Sequence, residues 1–224
     1  MPATKNKILL VISNLEFGGA QRQIVELANN IDKNQFEVHV CSLSDYTPLA
    51  LQLSPDISTH IINKNYKFDI AVVFKLARLI RKYEFCSVHS FLFDAEIATR
   101  IAGRISNTNT QIVGSERNAD YAAKNIHIIA YKLTSKMVDV IVANSKAGAI
   151  FNAKITGQPK SIYRVVYNGV DTNKYTLGDI RESKKKLSFH PDDSMIGMFA
   201  SFKQQKNHQL LIYALQHTIK KFPN

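Results

Sequence analysis

Short apolar segments alternate with longer amphipathic segments along the whole chain, and this alternation limits the folds that the sequence can adopt. The short segments are almost entirely aliphatic, as strands are when both faces of a sheet are covered. The longer segments repeat apolar residues at helical spacing, and Ile24, Leu27, Ala28 and Ile31 form one such stripe. Strands that alternate with helices are typical of parallel sheets with helical crossover connections. The fold class expected is therefore α/β.

Eight segments are predicted to be strands. They are residues 7–13, 36–43, 57–62, 87–90, 111–114, 138–143, 163–167 and 195–201. The chain becomes polar between Asp171 and Asp193, which indicates a boundary between domains. One strand and one helix follow, and about 30 residues cannot bury a core of their own. We therefore expect this last part to be the start of a second domain that the chain does not complete.

Composition excludes several classes of protein. The longest apolar run, Ile8–Ile12, is far shorter than the roughly 20 residues that cross a bilayer and lacks the features of a signal peptide, so a cytoplasmic location is expected. Two cysteines are too few for a disulfide framework or a zinc cluster. The formal charge of +11 favours nucleic acid, anionic lipid or phosphorylated ligands. The basic residues are scattered, with one triple at 184–186, which argues against a dedicated nucleic-acid-binding protein.

Polar or glycine-rich residues follow six of the predicted strands, at the end where open parallel sheets bind ligands. Gly18 and Gly19 lie between the first strand and the first helix, where unhindered backbone amides can hold a phosphate. The order of glycines is not that of a dinucleotide-binding loop or a Walker loop. Each turn alone also fits an ordinary surface turn or helix cap. Their agreement across the strands favours a ligand site.

Four of these segments occur in an order and at separations that resemble a known family. They are Gly18-Gly19-Ala20-Gln21, Ser115-Glu116-Arg117-Asn118, Ala143-Asn144-Ser145 and Tyr167-Asn168-Gly169-Val170-Asp171. The chain thereby resembles the retaining glycosyltransferases of family 4, which have the GT-B fold. The resemblance implies a Rossmann-like, acceptor-binding domain with a parallel sheet over residues 1–170. Over residues 171–224 it implies the linker and the first strand and helix of a second, truncated Rossmann-like domain that binds the nucleotide-sugar.

The resemblance also implies residues for donor binding. The segment 199–212 is similar to the one in which the family places an arginine and a lysine on the donor diphosphate, and that lysine corresponds to Lys206. Ser201 stands where many relatives have the arginine, and Lys203 offers a cation at a different position. Cations and the amides of Gly18 and Gly19 can replace a divalent ion beside the leaving diphosphate. No metal and no resident cofactor are therefore expected, and the nucleotide-sugar is a co-substrate.

The remaining candidate residues follow the fourth to seventh strands. Relatives commonly have a histidine near His89, which makes it the candidate catalytic residue, although it also fits a packed histidine at a strand end. The Arg117 guanidinium can hold a phosphate of the acceptor or the donor, or can be a solvated charge. With it, Asn118, Asn144 and Asn168 are predicted to line the acceptor site or the cleft. Asn144 also fits a helix cap together with Ser145. Asn168 fits a tight turn between the domains, in which Gly169 tolerates a positive φ.

The function expected from the resemblance is transfer of a sugar from a nucleotide-sugar to a saccharide or lipid-linked acceptor in cell-envelope polysaccharide synthesis. The chain by itself is expected to be inactive. The +11 charge suits a peripheral position on anionic lipid at the inner membrane face. The alternative is a non-catalytic Rossmann-type module that binds a phosphorylated small molecule. A third hypothesis, nucleic-acid binding, requires a cluster of basic residues that the sequence does not contain.

Overall fold

The computed structural model describes residues 5–66, 69–117, 125–173, 175, 178–202 and 204–222. The chain divides into two compact units, residues 1–170 and residues 171–224, which are described separately.

The first unit is built on a sheet whose seven strands all run parallel in the described residues. The strands are β1 (Asn6–Ile12), β2 (Phe36–Ser42), β3 (Ser58–Ile61), β4 (Ser87–Phe91), β5 (Gln111–Glu116), β6 (Val140–Ala143) and β7 (Tyr163–Val165). Their order across the sheet is β3-β2-β1-β4-β5-β6-β7. The order reverses between β1 and β4, and the carboxyl ends on either side of such a point commonly form a ligand crevice. The predicted α/β class and the parallel, Rossmann-like sheet are confirmed.

Helices cover both faces of this sheet. They are α1 (Gly19–Asn30), α2 (Ile70–Tyr83), α3 (Phe93–Ser106), α4 (Asn125–Leu133) and α5 (Lys146–Thr156). Neighbouring residues of β1 alternate between two cores, because successive side chains of a strand point to opposite faces. Leu10 packs with Ile24 of α1 in one core, and Leu9 packs with Leu76 of α2 in the other. On the second face α3 contacts β4 and β5, and α5 contacts β5, β6 and β7.

The second unit contains α6 (Ile180–Lys186), a 3₁₀ turn (Gln204–Lys206) and α7 (His208–Lys221). The predicted helix near the C-terminus is confirmed. The predicted strand at residues 195–201 is wrong, because no described residue of this unit lies in a strand. A strand requires a neighbour for its backbone hydrogen bonds, and Ile196 and Phe199 remain exposed here without one. In the described part of the chain, no helix combines the length and the apolar composition that crossing a membrane requires.

An ion pair lies inside the first unit, between α3 and β5. Arg100 Nη2 donates to Glu96 Oε2 at 3.2 Å, and both side chains are shielded from solvent. Arg100 also contacts Thr134 Oγ1 at 3.4 Å and lies 4.9 Å from the centre of the Tyr131 ring. On β5, a Cβ at Gly114 would lie 3.1 Å from Glu96 Oε2, so glycine leaves the room that the pair occupies. The pair thus joins the sheet, α3 and the end of α4.

The substitution Arg100→Met is expected to lower the free energy of unfolding by about 3–5 kcal/mol, because it leaves the Glu96 carboxylate buried without its cation. The double variant Glu96→Gln/Arg100→Met should recover most of that loss. Urea unfolding followed by circular dichroism measures both. Arg78→Met, on the exposed side of α2, is the matched control. A loss in Arg100→Met no larger than in this control would contradict the importance of the pair.

Candidate functional site

Three of the predicted site residues meet at the carboxyl edge of the sheet. Arg117 follows β5, and its Nη1 donates to Asn168 Oδ1 at 2.8 Å. Asn144 Nδ2 donates to the Arg117 carbonyl at 3.1 Å. The guanidinium carbon of Arg117 lies 4.9 Å from the centre of the Phe91 ring. Burial lowers the pKa of Arg117, and the nearby Glu96 opposes this effect. The structure thus brings together Arg117, Asn144 and Asn168, whose roles in binding remain predictions.

The segment after β7 connects this cluster with α1. Gln23 Nε2 donates to the carbonyl of Gly169 at 3.0 Å, next to the bond between Asn168 and Arg117. Gly169 does not use the positive φ that glycine tolerates, since among the described glycines only Gly157 has one. Hydrogen bonds from the side chains of Gln23 and Arg117 fix the conformation of this segment, which contains no left-handed glycine. Ser145, and not Asn144, is the helix cap, since its Oγ accepts from the Gly148 N–H at 3.0 Å.

The Gly18–Gly19 pair lies where β1 leads into α1. Gly18 precedes the helix in extended conformation, with φ −163°, and Gly19 is the first helical residue. A Cβ at Gly18 would lie 2.3 Å from Gln21 Oε1, whereas a Cβ at Gly19 would meet no atom within 4 Å. Gly19 does not have a positive φ, so its backbone conformation does not require glycine. Gly19 presents open backbone at a helix start, as phosphate binding requires, and that role stays a prediction.

His89 lies inside β4, two residues before its end, and not in the turn that follows. Its ring centre is 4.4 Å from that of Phe91. Its Nε2 is buried and has no hydrogen-bond partner among the described residues. Burial, followed by the charge of Arg117, lowers the pKa of His89 to about 3, so the ring is neutral at physiological pH. A catalytic role for His89 stays a prediction and would have to use the neutral ring.

Glu116, the last residue of β5, lines an open cavity of about 260 Å³ between α3, α4 and α5, and Arg117 lines it too. The Tyr163 OH donates to Glu116 Oε1 at 3.2 Å. Asn152 also donates to this carboxylate, while Oε2 has no partner among the described residues. Burial raises the pKa of Glu116 to about 7, against the effect of these bonds. Burial likewise raises the pKa of Glu96, and Arg100 opposes that rise.

The cavity beside Glu116 adjoins a second cavity of about 290 Å³ between α2, α3 and α4. The second cavity is mainly apolar, with Ile70, Ile97 and Ile126 in its wall. Phe93 and His127 line both cavities, and their stacked rings have centres 3.9 Å apart. The cavity beside Glu116, which contains several polar side chains, and a more apolar cavity therefore share one aromatic wall.

Sequence reasoning missed the two buried glutamates. Glu116 belongs to the motif from Ser115 to Asn118, but the motif alone does not predict that the Glu116 side chain is buried. Glu96 and Arg100 have one available signal, which is their i, i+4 spacing on a helix beside the apolar stripe of Ala95 and Ala98.

The other predicted site residues lie elsewhere or outside the described residues. Lys206 ends the 3₁₀ turn of the second unit and is exposed. Lys203 and Asn118 lie outside the described residues. The described residues contain no cluster of three or more histidine, cysteine, aspartate or glutamate side chains that could hold a metal ion.

Comparison with protein families gives one match. The sequence profile of Glycosyltransferase Family 4 matches residues 17–174. This match confirms the resemblance seen in the four sequence motifs. A search of curated proteins finds no match.

Comparison with solved structures gives matches to the same fold at low sequence identity. HepE from Anabaena, solved in complex with UDP, has 20% identity and a TM-score of 0.76 over 93% of this chain and 57% of its own. A glycosyltransferase from Rickettsia africae has 19% identity and a TM-score of 0.70 over 98% of this chain and 62% of its own. Sucrose-phosphate synthase from Thermosynechococcus elongatus has 11% identity and a TM-score of 0.72 over 94% and 59%. The chain thus spans about three fifths of the length of these proteins.

The raised pKa of Glu116 predicts a specific pH dependence of stability. The folded protein keeps the Glu116 proton up to about pH 7, whereas the unfolded chain loses it near 4.5. The stabilisation that this proton gives is complete below the unfolded pKa and is lost as pH rises through the folded pKa. Relative to Glu116→Gln, the wild type should therefore lose up to about 3 kcal/mol between these two pH values.

Urea unfolding of both proteins at several pH values measures this difference. Groups that do not interact with Glu116 titrate alike in both proteins and cancel in the comparison. A difference in unfolding free energy that does not change with pH would show that the folded structure does not raise the pKa of Glu116.

Proposed function

Because the chain belongs to Glycosyltransferase Family 4, we propose that it is part of a retaining glycosyltransferase that transfers a sugar from a nucleotide-sugar donor to an acceptor. The family match over residues 17–174 is the observation that carries this proposal. The carboxyl edge of the sheet supports it, since Arg117, Asn144, Asn168 and the open backbone at Gly19 all lie there. This is the edge at which open parallel sheets bind ligands.

We assign acceptor binding and donor binding to different units of the chain. Residues 1–170 bind the acceptor, and residues 171–224 are the linker and the beginning of the nucleotide-sugar-binding domain. The division at residue 170 and the chain's share of its structural neighbours, about three fifths, support this assignment. HepE has also been solved with UDP-glucose, which makes UDP-glucose a suitable first donor to test.

The chemistry that we propose is stabilisation of the leaving nucleoside diphosphate. Negative charge develops on the diphosphate as its bond to the sugar breaks. The ammonium group of Lys206, that of Lys203 and the backbone amides at Gly18 and Gly19 stabilise this charge without a metal ion. His89, held neutral by burial, contributes a hydrogen bond and does not donate a proton as an acid.

The acceptor that we propose carries both a polar and an apolar part. The cavity beside Glu116, which contains polar side chains, and the more apolar cavity beside Ile97 share the wall formed by Phe93 and His127. A lipid-linked saccharide of cell-envelope synthesis matches this arrangement. The formal charge of +11 favours a peripheral position on anionic lipid at the cytoplasmic face of the membrane.

Assay of the complete natural protein with UDP-glucose tests the proposed function. UDP should be released only when a cell extract that contains the acceptor is added. Proton NMR should show that the new glycosidic bond has the anomeric configuration of the donor. EDTA should leave the rate nearly unchanged. UDP binding without any turnover would favour a non-catalytic phospholigand-binding module, and loss of activity in EDTA would contradict the metal-free mechanism.

Lys206→Ala in the complete protein should reduce the rate of transfer by about 10²-fold, because it removes a charge that stabilises the leaving diphosphate. Steady-state kinetics measures the effect. Lys220→Ala, on α7, is the control and should keep the wild-type rate. An unchanged rate in Lys206→Ala would exclude this lysine from the donor site.

Gly19→Val should abolish UDP binding and leave the protein folded. The helical backbone at Gly19 tolerates a side chain, and a Cβ there meets no atom of the protein within 4 Å, so the added side chain occupies only the space assigned to the phosphate. Calorimetric titration with UDP and the melting temperature measure the two effects. Gly178→Val, at a similarly open glycine of the second unit, is the control. Full UDP affinity in a folded Gly19→Val protein would remove this loop from the donor site.

A further inference from the structure

Two histidines and a glutamate form a hydrogen-bonded chain near the edge of the sheet, and none of the three lines either cavity. Glu37 and His39 lie on β2, and His60 lies on β3, the edge strand next to β2. Glu37 Oε1 is 2.9 Å from His39 Nε2, and His39 Nδ1 is 2.9 Å from His60 Nε2. The two rings are parallel within 1° and their centres are 5.2 Å apart, which places the bond between them in the plane of both rings.

One arrangement of protons satisfies both bonds while the two rings are neutral. The ionised Glu37 carboxylate can only accept, so His39 Nε2 carries a proton and donates it. Nδ1 of a neutral His39 is then an acceptor, and the proton in the second bond belongs to His60 Nε2. His60 is half-buried, and its Nδ1 is the position where a further proton can bind without breaking either bond.

A second added proton breaks the bond between the two rings. With His60 Nδ1 already protonated, this proton has to bind His39 Nδ1. It then places one N–H group opposite another across the 2.9 Å contact and puts two positive rings side by side. Like charges at this distance in a poorly hydrated site repel strongly.

Aromatic packing holds the His39 ring in place. His39 is 1% exposed, and the ring centres of Tyr83 and Phe85 lie 4.9 and 5.0 Å from its own. Tyr83 also packs on the His60 ring, with 5.3 Å between centres. Because β2 is held by β1 on its other side and β3 is a four-residue edge strand, repulsion between the rings displaces β3 and not β2.

The other charged and titratable groups around the pair lie on three elements. Lys82 lies near the end of α2, close to His60. Lys7 of β1 is the register partner of Glu37, and Cys41 of β2 is the register partner of His60. Burial raises the pKa of the Cys41 thiol to about 12, so this group is neutral.

Burial, followed by the charges of His39 and Lys82, lowers the pKa of His60. The unfolded chain therefore takes up this proton before the folded protein does. The stabilisation that neutral His60 gives is complete above about pH 6.5 and is lost as the pH falls from there toward the lower pKa of the folded protein. Acid thus acts against the folded arrangement of the pair.

The segment after β3 connects the pair with the second cavity. The amides of Ile62 and Lys64 donate to the carbonyls of Ser42 and Leu43 at 2.9 and 3.0 Å. Lys64 lines the second cavity and forms an ion pair with Asp94 at the start of α3. Displacement of β3 therefore also loosens one wall of this cavity.

We propose that Glu37, His39 and His60 form a proton-sensitive latch, which holds β3 against β2 while at most one proton is added to the pair and releases β3 when a second proton binds. The latch is a property of the sheet edge and does not depend on the proposed function.

Hydrogen exchange of the complete natural protein, followed by mass spectrometry at about pH 8 and about pH 5, tests the latch. Exchange rates are divided by those of the unfolded chain at the same pH, which removes the intrinsic effect of pH. Peptides over residues 57–64 should lose at least about ten-fold of their protection at the lower pH, which corresponds to loss of one hydrogen bond. Peptides over β1, in the middle of the sheet, should keep their protection.

One variant connects this loss to the histidine pair. His60→Gln should keep the protection of residues 57–64 at both pH values, because the glutamine amide can donate to a neutral His39 or accept from a protonated one and does not itself titrate. His217→Gln, on the exposed surface of α7, is the matched control and should show the pH dependence of the wild type.

The positions of the protons are measured separately by nitrogen NMR of the imidazole rings at about pH 8. Both His39 and His60 should carry their proton on Nε2. A proton on His39 Nδ1 at this pH would overturn the proposal. So would protection of residues 57–64 that does not change with pH, an equal loss over β1, or an unchanged pH dependence in His60→Gln.

Discussion

The ion pair between Glu96 and Arg100 is the constraint on which the carboxyl half of the sheet depends. A guanidinium without access to water is tolerated only with a counter-ion and further hydrogen bonds, and here Glu96, Thr134 and the Tyr131 ring supply them. The pair also limits which side chains can lie next to it. Glycine at position 114 of β5 leaves the pair its room, because a Cβ there would lie 3.1 Å from the carboxylate, a tight contact that would require a neighbouring atom to shift.

The same pair sets the electrostatics of the neighbouring cavity. Arg100 is paired with Glu96 and also lowers the pKa of Glu116, but this effect is smaller than the rise that burial causes. Glu116 responds with a raised pKa and keeps hydrogen bonds to Tyr163 and Asn152. An interaction that stabilises the fold therefore also affects the protonation of a side chain that lines the cavity. The backbone is strained at one residue of the same edge. Leu92, between β4 and α3, has a φ of 71°, which residues with a side chain rarely adopt.

Periodicity was sufficient to predict the parallel sheet, since seven of the eight predicted strands form near their expected bounds. It failed at residues 195–201, because an apolar run does not reveal whether a partner strand is present. Of the site, the sequence predicted that Arg117, Asn144 and Asn168 would lie together, as parallel strands require of residues at their carboxyl ends. It could not predict Glu96 and Arg100, because a buried ion pair on a helix has the same residue types and spacing as a solvated one.

The motif from Ser115 to Asn118 shows how neighbouring residues at the end of a strand can differ in their contacts and still meet one space. β5 ends at Glu116, and Arg117 begins the segment that follows. Glu116 accepts from Tyr163, while the Arg117 guanidinium lies over Phe91 and bonds to Asn168. Both side chains line the cavity between α3, α4 and α5. The end of this one strand therefore places a carboxyl group and a cation in the same cavity, which neither residue type in the motif reveals by itself.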